Sequence, residues 1–229
     1  MPSSKPASTA PPTPQRAAKE GYRKGEETRN RLLGAALDAF GNRGFALVTT
    51  REIVKAAGTT QPSLTYYFGN KEGLYLACAH DIVAAFRQGT GAVSEFAATA
   101  LQGSISPLEA HDLLKRLFQA LARFLLSSQM AQDRTLFVQR EMASPGPAFE
   151  ILYSELWRPG IELVAELINR ATAGHISDEA CKVRAVMMIA SLTGFRSGQR
   201  VIERTTGEGE HVEQVLIVIE EQIDALPAD

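Results

Sequence analysis

Residues 49–75 restrict the possible folds more than any other part of the chain. They read TTREIVKAAGTTQPSLTYYFGNKEGLY and contain two short runs with helical spacing of apolar residues. Thr50 and Thr60 are suited to cap these runs, because a Thr hydroxyl accepts a hydrogen bond from the first turn of a helix. Gly58 lies between the runs and allows the left-handed backbone of a tight turn. Two short helices joined by so short a turn predict a helix–turn–helix.

The remainder of the chain also has a helical pattern. Apolar residues recur every three to four positions, and we find neither strand alternation nor an internal repeat. We predict an all-α fold of about nine helices. One of them covers residues 149–173, and we expect it to bend at Pro159, which has no N–H. Another runs from 177 to about 205, and the last covers 208–226.

The chain divides into three segments by composition. Residues 1–24 are rich in Pro, Ser, Thr and Ala, so they cannot bury enough apolar surface to offset the entropy of ordering, and we predict a disordered tail. Residues 25–71 form the predicted helix–turn–helix domain of three helices. Residues 72–229 form a second, larger helical domain.

Charge is distributed unevenly between these segments. Residues 1–71 hold 11 Lys and Arg against 5 Asp and Glu, a net charge of +6. Residues 72–229 hold 13 against 21, a net charge of −8. A basic head on an acidic body is typical of a protein whose head binds nucleic acid. Uneven surface charge without any function would produce the same counts.

Several protein classes are disfavoured by what the sequence lacks. No apolar run approaches the ~20 residues of a membrane span, and there is no apolar signal segment at the start, so we expect a cytoplasmic protein. Cys78 and Cys181 are far apart and have no Cys or His neighbours in a ligand pattern, which indicates reduced thiols. Phosphate-loop, G-x-S-x-G and HExxH motifs are absent. We therefore expect no metal, no cofactor and no enzymatic activity.

The helix–turn–helix suggests a role for each polar residue near it. The second helix of such a motif enters the major groove of DNA with its N-terminal residues facing base edges. Side chains further along it, and those at the start of the first helix, contact phosphates. The predicted DNA contacts are Thr50, Arg51, Thr60, Gln61, Pro62, Ser63, Tyr66, Tyr67 and Lys71. Half-buried packing of the tyrosines and ordinary capping by the threonines are the alternatives for single residues.

Residues 28–77 resemble the N-terminal domain of the TetR/AcrR family of bacterial regulators. The resemblance rests on Ala36, Phe40 and the run GFALVTTREIVKAAGTTQPSLTYYFGNKEGLY. The positions that match the family pattern there are Thr50, Ile53, Ala57, Gly58, Leu64, Tyr66, Phe68, Lys71 and Leu74. Pro62, Thr65 and Tyr67 differ from the residues that are common in the family, which affects the base contacts and not the fold.

Two stretches of the second domain resemble CecR-like members of that family. They are QREMASPGPAFEILYSELWRP at 139–159 and GFRSGQRVIER at 194–204. The resemblance implies a homodimer that binds a palindromic operator in double-stranded DNA and is released by a small-molecule effector, most simply as a repressor. The alternatives are a DNA-binding protein of the same fold without small-molecule control, and a transcriptional activator.

The second domain contains candidates for effector binding and for dimerisation. Effector pockets are mostly apolar with a few polar groups, a description that also fits any helical core. The effector candidates are Phe118, Phe137, Arg140, Tyr153, Trp157, Met188 and Phe195. Arg140 and Glu141 could instead form an internal ion pair. The candidates for a dimer interface between the last helices are Met188, Leu192, Phe195, Val212, Val215, Leu216, Ile219 and Ile223, with burial inside one subunit as the alternative.

Overall fold

The computed structural model describes residues 14–126, 129–207, 209 and 211–227, and all regular structure among them is helical. This confirms the predicted all-α fold. The helices are α1 (Pro14–Arg43), α2 (Thr50–Ala56), α3 (Gln61–Phe68), α4 (Lys71–Ala100), α5 (Pro107–Leu126), α6 (Gln129–Ala143), α7 (Phe149–Leu152), a π-helix (Tyr153–Trp157), α8 (Arg158–Ala171), α9 (Asp178–Ser197), α10 (Gln199–Thr206) and α11 (Val212–Asp224). None of these described helices is both long enough and apolar enough to cross a bilayer.

Two of the predicted helices are divided in the structure. The segment expected to be one helix over 149–173 contains the π-helix between α7 and α8. Pro159 follows that π-helix as the second residue of α8, and its missing N–H interrupts the helical hydrogen bonding at this place. The helix expected from 177 to about 205 ends at Ser197, and α10 begins after Gly198. Glycine is a poor helix former, which accounts for the break.

Part of the predicted disordered tail is helical. Residues 1–13 lie outside the described part of the chain, but the backbone is helical from Pro14 onwards and continues without a break to Arg43. This differs from the prediction of a disordered tail over residues 1–24. That prediction considered only the lack of apolar residues, whereas Gln, Arg, Ala, Lys and Glu all propagate a helix well. Adding turns to an existing helix avoids the cost of nucleation.

Two hydrophobic clusters organise the molecule. The head cluster joins α1–α3 and the first half of α4 to side chains of α6 and α7, including Phe137 and Leu152. The body cluster joins the second half of α4 to α5, α8, α9 and α11. Phe86 of α4 packs against both clusters. The predicted boundary after residue 71 falls one residue into α4, which packs in both clusters.

A capping box begins α2, and the capping residue is Thr49 rather than the predicted Thr50. The Thr49 hydroxyl accepts a hydrogen bond from the Glu52 backbone N–H, and the Glu52 carboxylate accepts one from the Thr49 backbone N–H at 2.8 Å. Arg43 at the end of α1 donates to the other carboxylate oxygen at 2.9 Å. The Arg43 hydrogen bond, followed by those from Thr49, lowers the pKa of Glu52 to about 2.

We expect Glu52→Gln to lower the thermal unfolding midpoint at neutral pH by an amount that shrinks as the solution is acidified. The folded-state pKa is depressed from an ordinary 4.5 to about 2. The ionised carboxylate therefore stabilises the fold above about pH 4.5, and this contribution is lost as pH falls through 2. Melting curves followed by circular dichroism between pH 2 and pH 7 measure the difference. Glu95→Gln, at an exposed position, is the control, and a pH-independent difference for Glu52→Gln would contradict the assignment.

Candidate nucleic-acid interface

The helix–turn–helix is built around two fully buried side chains, Ile53 of α2 and Leu64 of α3. Gly58 in the turn between them has φ +58°, in the left-handed region that glycine adopts without strain. Thr60 caps α3 by accepting a hydrogen bond from the Ser63 backbone N–H, and the two hydroxyl oxygens lie 3.0 Å apart. Pro62 occupies the first turn of α3, where no backbone donor is needed.

The outer face of α3 is polar and exposed. Gln61, Pro62 and Tyr66 are all exposed, and Tyr66 has 82% of its surface accessible. Thr65 lies on the same face, because residues at 61, 62, 65 and 66 fall on one side of a helix. The sequence prediction omitted Thr65, although its position four residues after Gln61 was the available signal.

The remaining predicted DNA contacts have mixed exposure. Arg51 and Thr60 are exposed, while Thr50 and Ser63 are half-buried. Tyr67 is also half-buried and packs against the head cluster, with its hydroxyl next to Gly25 of α1. The Tyr67 ring is therefore a half-buried packing residue, which was the alternative considered for the tyrosines.

Lys71 is half-buried at the start of α4. Its ammonium nitrogen lies 4.4 Å from the centre of the Phe45 ring, which is within the range of a cation–π interaction. This contact holds the charge of Lys71 against the loop that connects α1 to α2. The position of the ammonium group is thereby tied to the same loop that begins the helix–turn–helix.

Helix α6 is attached to this head through Arg140 and Glu141. Arg140 was a candidate for effector binding, but its guanidinium donates to the backbone oxygens of Gly41 at 3.1 Å and Asn42 at 2.8 Å. These carbonyl groups belong to the last turn of α1, which has no intrahelical donors for them. Arg140 is thus used as a cap for α1.

Glu141 faces the head cluster instead of forming an ion pair with Arg140. It is 1% exposed and accepts hydrogen bonds from the Tyr75 hydroxyl at 2.5 Å and the Gly146 backbone N–H at 3.0 Å. Burial, and then the bond to Glu141, raise the pKa of Tyr75 well above its ordinary range, so this hydroxyl stays protonated as a donor. A Cβ on Gly146 would lie 2.6 Å from the Glu141 carboxyl, so this loop position requires glycine.

Aromatic rings and an ion pair complete the same junction. The Tyr75 ring lies 4.8 Å from that of Phe40 and 4.6 Å from that of Phe137, measured between centroids. Arg134 of α6 donates to Asp81 of α4 through two nitrogens, at 2.8 and 3.1 Å. Helix α6 is therefore attached to both α1 and α4.

The effector candidates do not come together at one place. Phe118, Met188 and Phe195 belong to or pack on the body cluster. Phe137 and Trp157 belong to or pack on the head cluster, and Tyr153 is exposed and stacked on Phe149. Phe118 and Phe137 are completely buried, so they serve as core residues. Helical periodicity marks a side chain as buried but does not say in which of two cores.

Most of the dimer-interface candidates are buried within the chain itself. They are at most 8% exposed and lie in the body cluster, where α11 packs on α5. These buried candidates are Leu192, Val215, Leu216, Ile219 and Ile223. These five side chains are therefore buried inside one subunit, which was the alternative to a dimer interface. Met188, Phe195 and Val212 are half-buried at its edge.

The same two helices also expose apolar side chains. The exposed set is Val183, Val186 and Met187 on α9 together with Ile217 and Val218 on α11. An open groove of about 550 Å³ runs beside α9 and is lined partly by Val183 and Met187. Apolar side chains left in contact with water in this way mark a surface that favours association.

The two cysteines and the metal-ligating residues add no further site. Cys78 and Cys181 are both buried free thiols, and burial raises the pKa of each. Within the described ranges, no three His, Cys, Asp or Glu side chains are grouped so that they could hold a metal ion.

Comparison with known families identifies both parts of the chain. Residues 32–78 match the family model described as "Bacterial regulatory proteins, tetR family", and residues 110–228 match "HTH-type transcriptional dual regulator CecR, C-terminal domain". The chain is 31% identical over 186 residues to the HTH-type transcriptional dual regulator CecR of Shigella flexneri, which covers 80% of this chain and 82% of that protein. It is 52% identical over 52 residues to the HTH-type transcriptional regulator YdgC of Bacillus subtilis (strain 168), covering 23% and 27%.

Solved structures share the fold. A TetR-like transcriptional regulator from Rhodococcus sp. RHA1 superposes with a TM-score of 0.61 at 18% identity, covering 86% of this chain and 93% of that one. AibR, crystallised in complex with isovaleryl coenzyme A and operator DNA, gives a TM-score of 0.63 at 15% identity, covering 85% and 97%. The chain belongs to the TetR family of bacterial regulatory proteins and has a CecR-type C-terminal domain.

Proposed function

We propose that the protein is a homodimeric transcriptional regulator that binds a palindromic operator and is released from it by a small-molecule effector, as a repressor. The observation that carries the proposal is the polar outer face of α3, held out from the head by the buried Leu64. Gln61 at its start can bond an adenine edge in two places, and Pro62 offers apolar contact to a thymine methyl. Ser63 can bond a base of either strand, and the proposed phosphate contacts are Thr50, Arg51, Thr60, Tyr66, Tyr67 and Lys71.

Dimerisation follows from how little DNA one recognition helix can read. Two such helices, about 34–36 Å apart, are needed to read both halves of a palindrome. We assign the subunit contact to the exposed apolar side chains of α9 and α11, because the buried candidates of those helices are already used within one subunit. A twofold axis would place each exposed set against its copy.

Effector release requires that a change in the body moves the head. Helices α4 and α6 both connect the two parts. The first half of α4 packs in the head cluster and the second half in the body cluster. Between them lies Gly89, where the Phe124 ring leaves no room for a Cβ. An effector that binds better to an arrangement with α4 displaced would separate the two recognition helices, but only by as much as its affinities for the two arrangements differ.

The experiment that tests this function is a selection of genomic fragments by the purified protein at ~150 mM salt, followed by footprinting. The expected result is a palindromic site near a promoter, protected over two adjacent major grooves. Scattering from the protein with and without effector then measures the separation of the heads. No enriched fragment after bound small molecules have been removed would refute the function, and an unchanged separation would refute the release mechanism.

Activation of transcription is a second candidate for the same DNA-binding protein. It is favoured by the name of the relative CecR, which is described as a dual regulator. Position of the operator relative to the promoter distinguishes the two candidates. Sites overlapping the promoter indicate repression, whereas upstream sites with reduced transcription in a deletion strain indicate activation. If no added effector dissociates the protein from its DNA, control without a small molecule is indicated instead.

We expect Gln61→Ala to relax base preference at one position of each half-site, with a loss of about 1–3 kcal/mol for the preferred base pair. Its affinity for random duplex DNA should stay unchanged, because a base contact contributes little there. Competition binding against a set of single-base operator variants measures both quantities. Gln102→Ala, an exposed substitution in the connection after α4, is the matched control. An equal loss on all sequences would show that Gln61 contacts phosphate.

A further inference from the structure

We propose that the first turns of α1, residues 14–24, form a second DNA-contacting surface that binds the phosphate backbone beside the base pairs read by α3. We call this segment the α1 extension. The proposal rests on the proposed DNA binding and adds to it a partner surface outside the helix–turn–helix. Among the side chains of α1 that the structure describes, which begin at Arg23, the first buried one is Leu32, so the three-helix core is built from residues beyond the α1 extension.

The place where the α1 extension leaves the head is next to the recognition helix. Gly25 approaches the C-terminal part of α3, since a Cβ built on it would lie 3.2 Å from the Tyr67 hydroxyl oxygen. One turn further on, the Arg29 guanidinium lies 5.6 Å from the centre of the Phe68 ring. A helix in the major groove has a phosphate backbone on either side of it. The α1 extension therefore starts beside the C-terminal part of α3, where Tyr66 and Tyr67 lie.

The length of the α1 extension is sufficient to reach beyond the base pairs under α3. Its 11 helical residues span about 16 Å at the α-helical rise of 1.5 Å per residue. That distance corresponds to several base pairs at ~3.4 Å each. Because α1 is continuous from Pro14 to Arg43, the segment continues the first helix of the head.

The composition of the α1 extension matches a polyanion and not an apolar partner. It contains Arg16, Lys19, Arg23 and Lys24 against Glu20, a net charge of +3. Its only large apolar side chain is Tyr22, whereas binding to a membrane or a protein groove uses a continuous apolar face. Phosphates are the partner that this charge fits.

The described basic side chains are available for such contacts. Arg23 and Lys24 are exposed. Arg23 lies 3.5 Å from Glu27, with 72% and 63% of the two side chains accessible. An exposed ion pair of this kind contributes little to stability, so exchanging it for a DNA phosphate costs little.

The test compares the salt dependence of DNA binding between the full chain and the variant Arg16→Ala, Lys19→Ala, Arg23→Ala and Lys24→Ala. Alanine keeps the helix, because it has the highest helix propensity, and circular dichroism verifies this. The probe is a fluorescent 30-base-pair duplex of random sequence, titrated between 50 and 200 mM salt. The matched control removes four exposed arginines of the body: Arg116, Arg123, Arg158 and Arg204.

The expected result follows from counterion release. Each phosphate contact contributes a slope of about −0.9 in log affinity against log salt. With one contact from each α1 extension of a dimer, the unmodified protein should lose about tenfold more affinity than the variant over this salt range. The body control should keep the full slope. Parallel slopes for the unmodified protein and the variant, or an equal change in the body control, would overturn the proposal.

A second arm separates flanking contacts from contacts within the groove. On a random duplex of about 16 base pairs, which is long enough for the two heads but leaves little DNA beside them, the variant and the unmodified protein should bind nearly equally. A difference as large as that on the 30-base-pair duplex would refute the flanking position. If the unmodified protein binds neither duplex and selects no genomic fragment, the proposed DNA-binding function itself fails.

Discussion

Phe137→Ala is expected to destabilise the protein by about 3–5 kcal/mol, the usual cost of removing a fully buried aromatic ring. Phe137 belongs to α6, yet it is completely buried in the head cluster against the Tyr75 ring. The close approach of α6 to α1 at Gly41, where a Cβ would lie 3.1 Å from the Asp133 backbone oxygen, prevents the two helices from closing the cavity much further. The substitution should therefore loosen the head from the body as well as lower global stability.

Urea unfolding at fixed protein concentration measures the loss, since dimerisation as proposed would make the apparent stability depend on concentration. Phe96→Ala removes the same ring from α4 at a position that is 59% exposed. This control should change the free energy of unfolding by no more than about 0.5 kcal/mol. Equal effects of the two substitutions would show that Phe137 does not stabilise the contact between α6 and the head.

Tyr75→Phe is expected to cost about 1–3 kcal/mol, because it leaves the buried Glu141 with one donor fewer. The ring remains, so the packing against Phe40 and Phe137 is kept. The loss is therefore assigned to the hydrogen bond and not to a cavity. Glu141→Gln should also destabilise, since an amide can accept at one oxygen only, and Glu141 accepts from both Tyr75 and Gly146.

A double-mutant cycle of Tyr75→Phe and Glu141→Gln measures the coupling between the two side chains. We expect the combined loss to be smaller than the sum of the single losses by more than 0.5 kcal/mol. Tyr153→Phe removes a hydroxyl from an exposed tyrosine and is the control for the chemical change. Additive losses would mean that Tyr75 and Glu141 act independently, and the junction would then depend on ring packing alone.

The local pattern was sufficient to predict the head. Gly58 and Thr60 have the turn and capping roles that the sequence assigned to them, and Leu64 is buried as the core residue of α3. Each of these roles depends on neighbours within a few residues, so the sequence contains the necessary information. The shift of the α2 cap to Thr49 is a one-residue error between two identical side chains, decided by which hydroxyl faces Glu52.

The body shows what local pattern does not contain. Periodicity correctly marked Leu192 and Ile219 as side chains that must be buried, but it could not distinguish a partner subunit from α5 of the same chain. Arg140 looked like a polar anchor for an effector, and its actual acceptors lie 98 and 99 residues away in α1. Contacts at such a separation depend on how the helices are arranged in space.

The sequence by itself determined that this chain is helical, that residues 50–68 form a helix–turn–helix, and that the head is basic, because capping, turn formation and net charge are local or additive properties. Only the tertiary structure decided that α6 holds the head through Arg140, Glu141 and Phe137, and which side chains of α9 and α11 remain exposed. Packing a set of amphipathic helices allows many arrangements with similar burial, and choosing one of them requires the shapes of all the helices at once.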